Sequence, residues 1–245
     1  MDNRIIVTAC NSRYFHSVQT LIASIHRLSI DTVDHIYVFN LGLTTNEIKS
    51  INSWKKCSVE NFPEDVNTSP KDYAFKCFVN YWAQSHGKYS LWLDAGVMLL
   101  KSIDVIFNTL EQDDIFLVGD IHKNSNYTSR SCVNIMQATK TELNGRQLSA
   151  GILGYKSKGK YQNLIDEAYE FSKDRKCIAG NDNNHRQDQS IYSILSIRYG
   201  CPRQDLDTYG YWTDANRNLK TANEYGSVIF VHRNGHWDFN GLLRK

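Results

Sequence analysis

Among the residues whose type and spacing allow chemistry, Asp94-Ala95-Gly96 stands out because it closes the apolar run Tyr89–Leu93 (YSLWL). A strand that stops at a carboxylate and small residues is the arrangement of a ligand crevice in an open α/β sheet. Such a carboxylate can bridge a divalent metal, Mn²⁺ or Mg²⁺, to the oxygens of a diphosphate. Gly96 stands where a second carboxylate would complete the pair. A lone Asp after a strand serves equally as a turn or capping residue. His232 follows the last apolar run, Val228–Val231 (VIFV). Its imidazole is a competent second metal ligand beside Asp94, although a strand-end histidine also simply bonds backbone. Arg233 and the backbone of Gly235 are good donors to a diphosphate directly.

The segment His185-Arg186-Gln187-Asp188-Gln189-Ser190 follows a glycine-bearing loop and sets hydrogen-bonding side chains around one acid. It suits recognition of sugar hydroxyls, with Asp188 as an alternative general base. An acid in a first helical turn is also favoured by the helix dipole alone. Ser149-Ala150-Gly151 combines small residues with a hydroxyl where bulk is unwelcome, and a tight bulge explains it as well. Lys76 lies in a helical stretch before the Asp94 strand, where an exposed lysine is the ordinary reading. Asp120 ends the run Ile115–Val118 after Gly119. Trp212, Trp237 and the tyrosines at 209 and 211 are either sugar-stacking walls or core packing.

The elements that must position these groups alternate. Arg4–Ala9 (RIIVTA) reads as a buried strand, and Val18, Leu21, Ile22, Ile25 and Leu28 then recur at helical spacing. His35–Phe39 is the next strand, followed by a helix whose entry, Thr44 with Glu47, has capping-box form. Ser58–Phe62 reads as a third short strand and Ser69–His86 as a longer helix. Further strands fall at Tyr89–Leu93, Ile115–Val118, Gln147–Tyr155 and Val228–Val231. Helices fall around Tyr161–Phe171 and at Asp188–Tyr199, with a loop over Asp174–Gln187 between them. This rhythm predicts βαβ units, a mostly parallel sheet and one domain over residues 1–245.

The composition fits that picture. The 245 residues are 41% hydrophobic and 22% charged, enough for a substantial core. Lys plus Arg total 28 against 26 Asp plus Glu, a net charge of +2 that gives no basis for a nucleic-acid track. The six cysteines are scattered without a CxxC pair, so the expectation is reduced, mostly buried thiols rather than a zinc site. The N-terminal apolar run is too short for a signal peptide, and no stretch reaches the ~20 apolar residues of a membrane span. A cytoplasmic protein is expected, with peripheral membrane contact open through a lipid-linked acceptor.

Taken in order, these segments resemble the GT-A glycosyltransferases, a Rossmann-like α/β class, and within them family 8, which includes glycogenin and bacterial lipopolysaccharide galactosyltransferases. The resemblance runs from Ile5 to Trp237 and rests on motif order more than on any single motif. It implies that Thr8, Ala9, Cys10 and Asn11, with Tyr14, hold the nucleotide base. Tyr73 to Lys76 resembles the family's Tyr-x-Arg helix with altered spacing, and Asp94-Ala95-Gly96 its Asp-x-Asp metal motif. Ser149-Ala150-Gly151 resembles the Asn-Ala-Gly of the sugar pocket, and Asp188-Gln189 the pair that contacts the transferred sugar. His232-Arg233-Asn234-Gly235 resembles the closing His-x-x-Gly. Two departures stand out: Gly96 replaces a carboxylate, and the Lys-Pro-Trp after His-x-x-Gly is reduced to His236-Trp237.

The implied activity is transfer of a hexose from a nucleotide-diphosphate sugar, UDP foremost, to a hydroxyl of a glycan, lipid-linked or protein acceptor. Asp94 would hold the metal or the donor ribose, Lys76 and Arg233 would neutralise the diphosphate, and Asp188 would orient the sugar or act as base, with Gln189 and Asp120 on the acceptor side. A sugar nucleotidyltransferase would carry a Gly-rich loop after its first strand, and Ala9–Arg13 has no glycine. A GT-A fold that binds nucleotide or glycan without turnover is the non-catalytic alternative, favoured by Gly96.

Overall fold

The computed structural model describes residues 3–181, 183–209, 224 and 226–232. The chain starts with strand β1 (Arg4–Cys10), whose RIIVTAC sequence is buried from Ile5 onward. Helix α1 (Phe15–Leu28) follows, and its Val18, Leu21, Ile22 and Ile25 are fully buried on one stripe. Next come β2 (His35–Asn40) and α2 (Thr45–Asn52). The capping box at the start of α2 is formed: Thr44 accepts from the Glu47 N–H, and the Glu47 side chain accepts from the Thr44 N–H. Strand β3 (Cys57–Glu60) leads through a turn-rich stretch to α3 (Ala74–Ala83) and β4 (Tyr89–Leu93).

The second half holds β5 (Val97–Leu99), α4 (Asp104–Asp113) and β6 (Ile115–Lys123). Two short helices, α5 (Arg130–Ile135) and α6 (Lys140–Asn144), precede the long strand β7 (Arg146–Lys156). Helices α7 (Gln162–Lys173), α8 (Arg175–Ile178) and α9 (Gln187–Arg198) follow, with β8 (Ile229–Val231) near the end of the described chain.

The main sheet has six strands in the order β3-β2-β1-β4-β7-β6. β3, β2, β1 and β4 pair in parallel, whereas β7 runs antiparallel to both β4 and β6. β5 and β8 form a separate antiparallel pair. Side chains alternate across the sheet: Ile5, Val7 and Ala9 enter one core cluster with residues of α3, α7 and α9. Ile6 and Cys10 enter the other, with residues of α1 and α4. Helices thus cover both faces, as a mostly parallel sheet requires.

From β1 the chain winds outward through β2 to β3, then returns to β4 on the opposite side of β1. The order reverses at β1 and β4, and a crevice opens at their carboxyl ends. Asp94 lies there, its N–H donating to the Gly151 carbonyl on β7 (2.9 Å).

Several boundaries differ from the sequence expectation. The helix expected from Ser69 starts at Ala74, because Tyr73 adopts a left-handed φ of 53° and the residues around Pro70 form turns. β6 runs on to Lys123 through register shifts after Leu117, so the irregularity sits on the neighbour of Ser149-Ala150-Gly151. The loop expected at Asp174–Gln187 contains α8, capped by the Asp174 side chain. β5, α4, α5 and α6 had no counterpart in the sequence reading. All six cysteines are free, and all but the half-buried Cys201 are buried. Among the described residues no helix is long and apolar enough to cross a membrane.

Candidate functional site

Lys76 is not a surface residue. It sits in the first turn of α3, is only 7% exposed, and reaches Asp94 Oδ1 at 2.9 Å and Asp188 Oδ2 at 3.7 Å. A cation in a first helical turn opposes the helix dipole, so its place depends on these carboxylates. The rings of Tyr73 and Trp92 lie 5.0 and 5.6 Å from its ammonium. Trp92 Nε1–H also donates to Asp94 Oδ1 (2.9 Å), fixing the rotamer of that carboxylate from two residues upstream on β4.

Asp188 enters from α9, where Gln187 precedes it with a left-handed φ of 40°. Non-glycine residues in this region store strain, and here Tyr73 does so just before α3 and Gln187 at the first position of α9, the two helices that frame the site. Asp188 is 4% exposed and its Oδ2 has no hydrogen-bond donor. Burial pushes its carboxyl up to about 6, with the Asp94 charge adding to the rise and Lys76 opposing it.

A cavity of about 560 Å³ opens above these groups. Ala9, Cys10, Asn11, Arg13 and Tyr14 line one side, from the end of β1 onward. Tyr73, Phe75 and Lys76 from the start of α3 line another, with Trp92, Asp94, Ala95 and Gly96 from the end of β4. Asn11 Oδ1 is buried there without a donor. Of the expected base-holding residues, Ala9, Cys10, Asn11 and Tyr14 therefore reach the cavity. Thr8 does not: it is fully buried and its hydroxyl makes no hydrogen bond.

Beside Asp188, Gln189 Nε2–H donates to Gln147 Oε1 on β7 (2.9 Å). The same oxygen accepts from Arg186 Nη1 (3.2 Å), which also donates to Asp120 Oδ2 (3.0 Å). The Arg186 guanidinium lies 3.8 Å over the Tyr127 ring. Gln147 is fully buried, and its Nε2 finds no acceptor. Ser149, Ala150 and Gly151 are buried on the same strand and do not line the cavity, so the Gly151 carbonyl under Asp94 is their nearest link to it.

His232 is placed at the same turn, its N–H donating to the Gly96 carbonyl (3.0 Å), and burial pushes its imidazole down to about 4, so it is neutral at pH 7. Arg233, Gly235, Trp212, Trp237 and Tyr211 lie outside the described residues. The carboxylate donors suit a divalent ion poorly. Asp94 Oδ1 already holds an ammonium and an indole N–H, and Gly96 supplies no carboxylate. Among the described residues no three His, Cys, Asp or Glu side chains gather as a metal cluster.

Sequence reasoning missed Arg13, Trp92 and Gln147, and named Tyr73 and Arg186 only as members of their segments. Trp92, two residues before Asp94 on the same strand, was the one legible signal. The others depend on contacts distant in sequence.

A mixed, mostly parallel sheet flanked by helices, with an acidic turn at its switch point, defines a GT-A-like α/β fold. Solved glycosyltransferases share it. WbbM, a bifunctional glycosyltransferase in its apo form, superposes over 93% of this chain and 45% of its own, with a TM-score of 0.61 and 13% identity. Mouse xyloside xylosyltransferase 1, also apo, matches 94% of this chain and 97% of its own, at TM-score 0.56 and 10% identity. GlyE of Streptococcus pneumoniae TIGR4 matches 84% of this chain and 45% of its own, at TM-score 0.52 and 16% identity. The chain thus spans about half the length of GlyE and of WbbM, and at these identities the likeness is one of fold. No family model and no curated protein sequence matches the chain.

Proposed function

We propose that this protein is a glycosyltransferase that takes a sugar from a nucleotide-diphosphate donor, UDP-hexose foremost, to a hydroxyl acceptor on a glycan, lipid-linked sugar or protein. The observation that carries this reading is a cavity at the switch point lined by the Lys76 ammonium and the Asp94 carboxylate, with Asp188 of α9 paired to the same ammonium. Asn11, which lines the cavity, keeps its buried Oδ1 without a donor, and beyond the lining Asp188 Oδ2 and Gln147 Nε2 also lack hydrogen-bond partners. Such atoms are rare unless an ordered water or a ligand completes them.

In this reading Asn11 and Tyr14 hold the base, and Lys76 faces the diphosphate. As the bond from the anomeric carbon to the phosphate oxygen breaks, negative charge grows on the diphosphate, and the prepositioned ammonium stabilises it. Asp188 orients the sugar through its hydroxyls. The acceptor oxygen bonds to the anomeric carbon and releases its proton to a base, for which Asp188 is the nearest buried carboxylate. Gln147, Gln189, Arg186 and Asp120 supply donors and acceptors for acceptor hydroxyls.

The test is incubation with a panel of nucleotide sugars, following release of the nucleoside diphosphate. Release from one sugar nucleotide that stops with Asp188→Asn supports the reading. Gly96 favours a second reading, a GT-A fold that binds nucleotide without turnover. Tight nucleotide binding with no release from any donor would select it.

A further inference from the structure

We propose that Lys76 does the work of a divalent metal at this site, so that the protein binds its nucleotide diphosphate and releases it without one. The inference rests on the transferase reading and adds how its leaving group is neutralised.

The geometry is that of a cation held between anions. Lys76 Nζ lies 2.9 Å from Asp94 and 3.7 Å from Asp188, carboxylates on β4 and α9. A divalent ion in a paired-carboxylate turn would draw its second acid from position 96. Here that position is glycine, and the second acid near the ammonium comes from α9. A metal placed on the Lys76 side of Asp94 would stand against a fixed positive charge in a half-buried site, where like charges repel strongly.

The lysine is also supported as a functional group rather than a surface one. Trp92 holds the Asp94 oxygen that it bonds, and the Tyr73 and Trp92 rings flank the ammonium. Lys76 still lines the cavity, and Arg13 lines it too, so a bound diphosphate meets two side-chain cations. On binding, phosphate oxygens become further acceptors for the ammonium while Asp94 and Asp188 keep it in place. A purely structural ion pair would have no reason to face an open cavity.

Isothermal titration of the whole chain with UDP, in EDTA and then with Mn²⁺ or Mg²⁺, tests this. We expect dissociation constants that agree within about threefold across these conditions. We also expect Lys76→Met to weaken UDP binding about tenfold or more, and Lys76→Arg to retain most of it. Thermal melts identify a Lys76→Met protein that fails to fold, and the wild-type comparison decides the matter without it. A separate gain is expected from Gly96→Asp: Mn²⁺ then tightens UDP binding. Wild-type UDP binding that requires Mn²⁺ would overturn this inference and leave the transferase reading standing. Absence of binding by UDP and by other nucleoside diphosphates, with and without metal, would overturn the reading itself and the inference with it.

Discussion

Asp188 on α9 stands 3.7 Å from the ammonium of Lys76 on α3, yet its Oδ2 has no hydrogen-bond donor. The ion pair is therefore incomplete, and burial outweighs it: the carboxyl is raised from 3.8 to about 6. A raised carboxyl favours the protonated folded state. The folded chain then binds more protons than the unfolded one between about pH 4 and pH 6, and stability falls as pH rises through that window. Above pH 6 the cost of holding the ionised group is on the order of 3 kcal/mol.

Asp188→Asn should consequently raise stability at pH 8, by up to about 3 kcal/mol, with the advantage gone near pH 4. Urea unfolding at the two pH values reads this directly. A variant less stable than wild type at pH 8 would show that the Lys76 pairing outweighs desolvation. Sugar transfer should fall as pH drops below about 6, since protonated Asp188 can neither take the acceptor proton nor pair with Lys76.

Trp92→Phe keeps the ring and removes the indole N–H that fixes Asp94. The expected stability cost is about 2–4 kcal/mol, from the lost bond to a charged carboxylate and the cavity left at a buried site. Donor KM should rise several-fold, because Asp94 can then rotate away from Lys76. An unchanged KM would show that Asp94 is held in place by other contacts.

The two sides of the site should separate kinetically. Arg186→Met breaks the bonds to Asp120 and Gln147 without touching the nucleotide cavity. Acceptor KM is expected to rise about tenfold, with nucleotide affinity within about twofold of wild type. A loss of nucleotide binding instead would place Arg186 on the donor side.

Away from the site, Thr44→Ala removes one half of the capping box of α2. It should cost about 1 kcal/mol in unfolding free energy and leave nucleotide affinity unchanged. An altered affinity would couple α2 to the cavity.

Much of the fold was written in local pattern. The runs RIIVTA, HIYVF and YSLWL announce strands because their β-branched and aromatic residues are continuous and bounded by polar turns. Thr44 and Glu47 announce a helix start because both halves of the cap lie within four residues. What was not legible depends on distant partners. Val97–Leu99 is a strand only because Ile229–Val231 pairs with it. α4 was missed although Ile106, Phe107 and Leu110 form a buried helical stripe, since the polar residues between them obscure it.

The site divides the same way. Asp94 was legible from its place after a strand, and Asp188-Gln189 from their company. Lys76 reads locally as an ordinary helix lysine; only folding brings Asp94 and Asp188 around it. Gln147 and Arg186 likewise acquire meaning through each other, from strand and helix start.

The most direct test of the central claim is a crystal structure of the protein soaked with UDP. The uracil and ribose are expected against Asn11 and Tyr14, with the diphosphate within hydrogen-bonding distance of Lys76 Nζ. Nucleotide bound elsewhere, or a cavity left empty at saturating UDP, would contradict it.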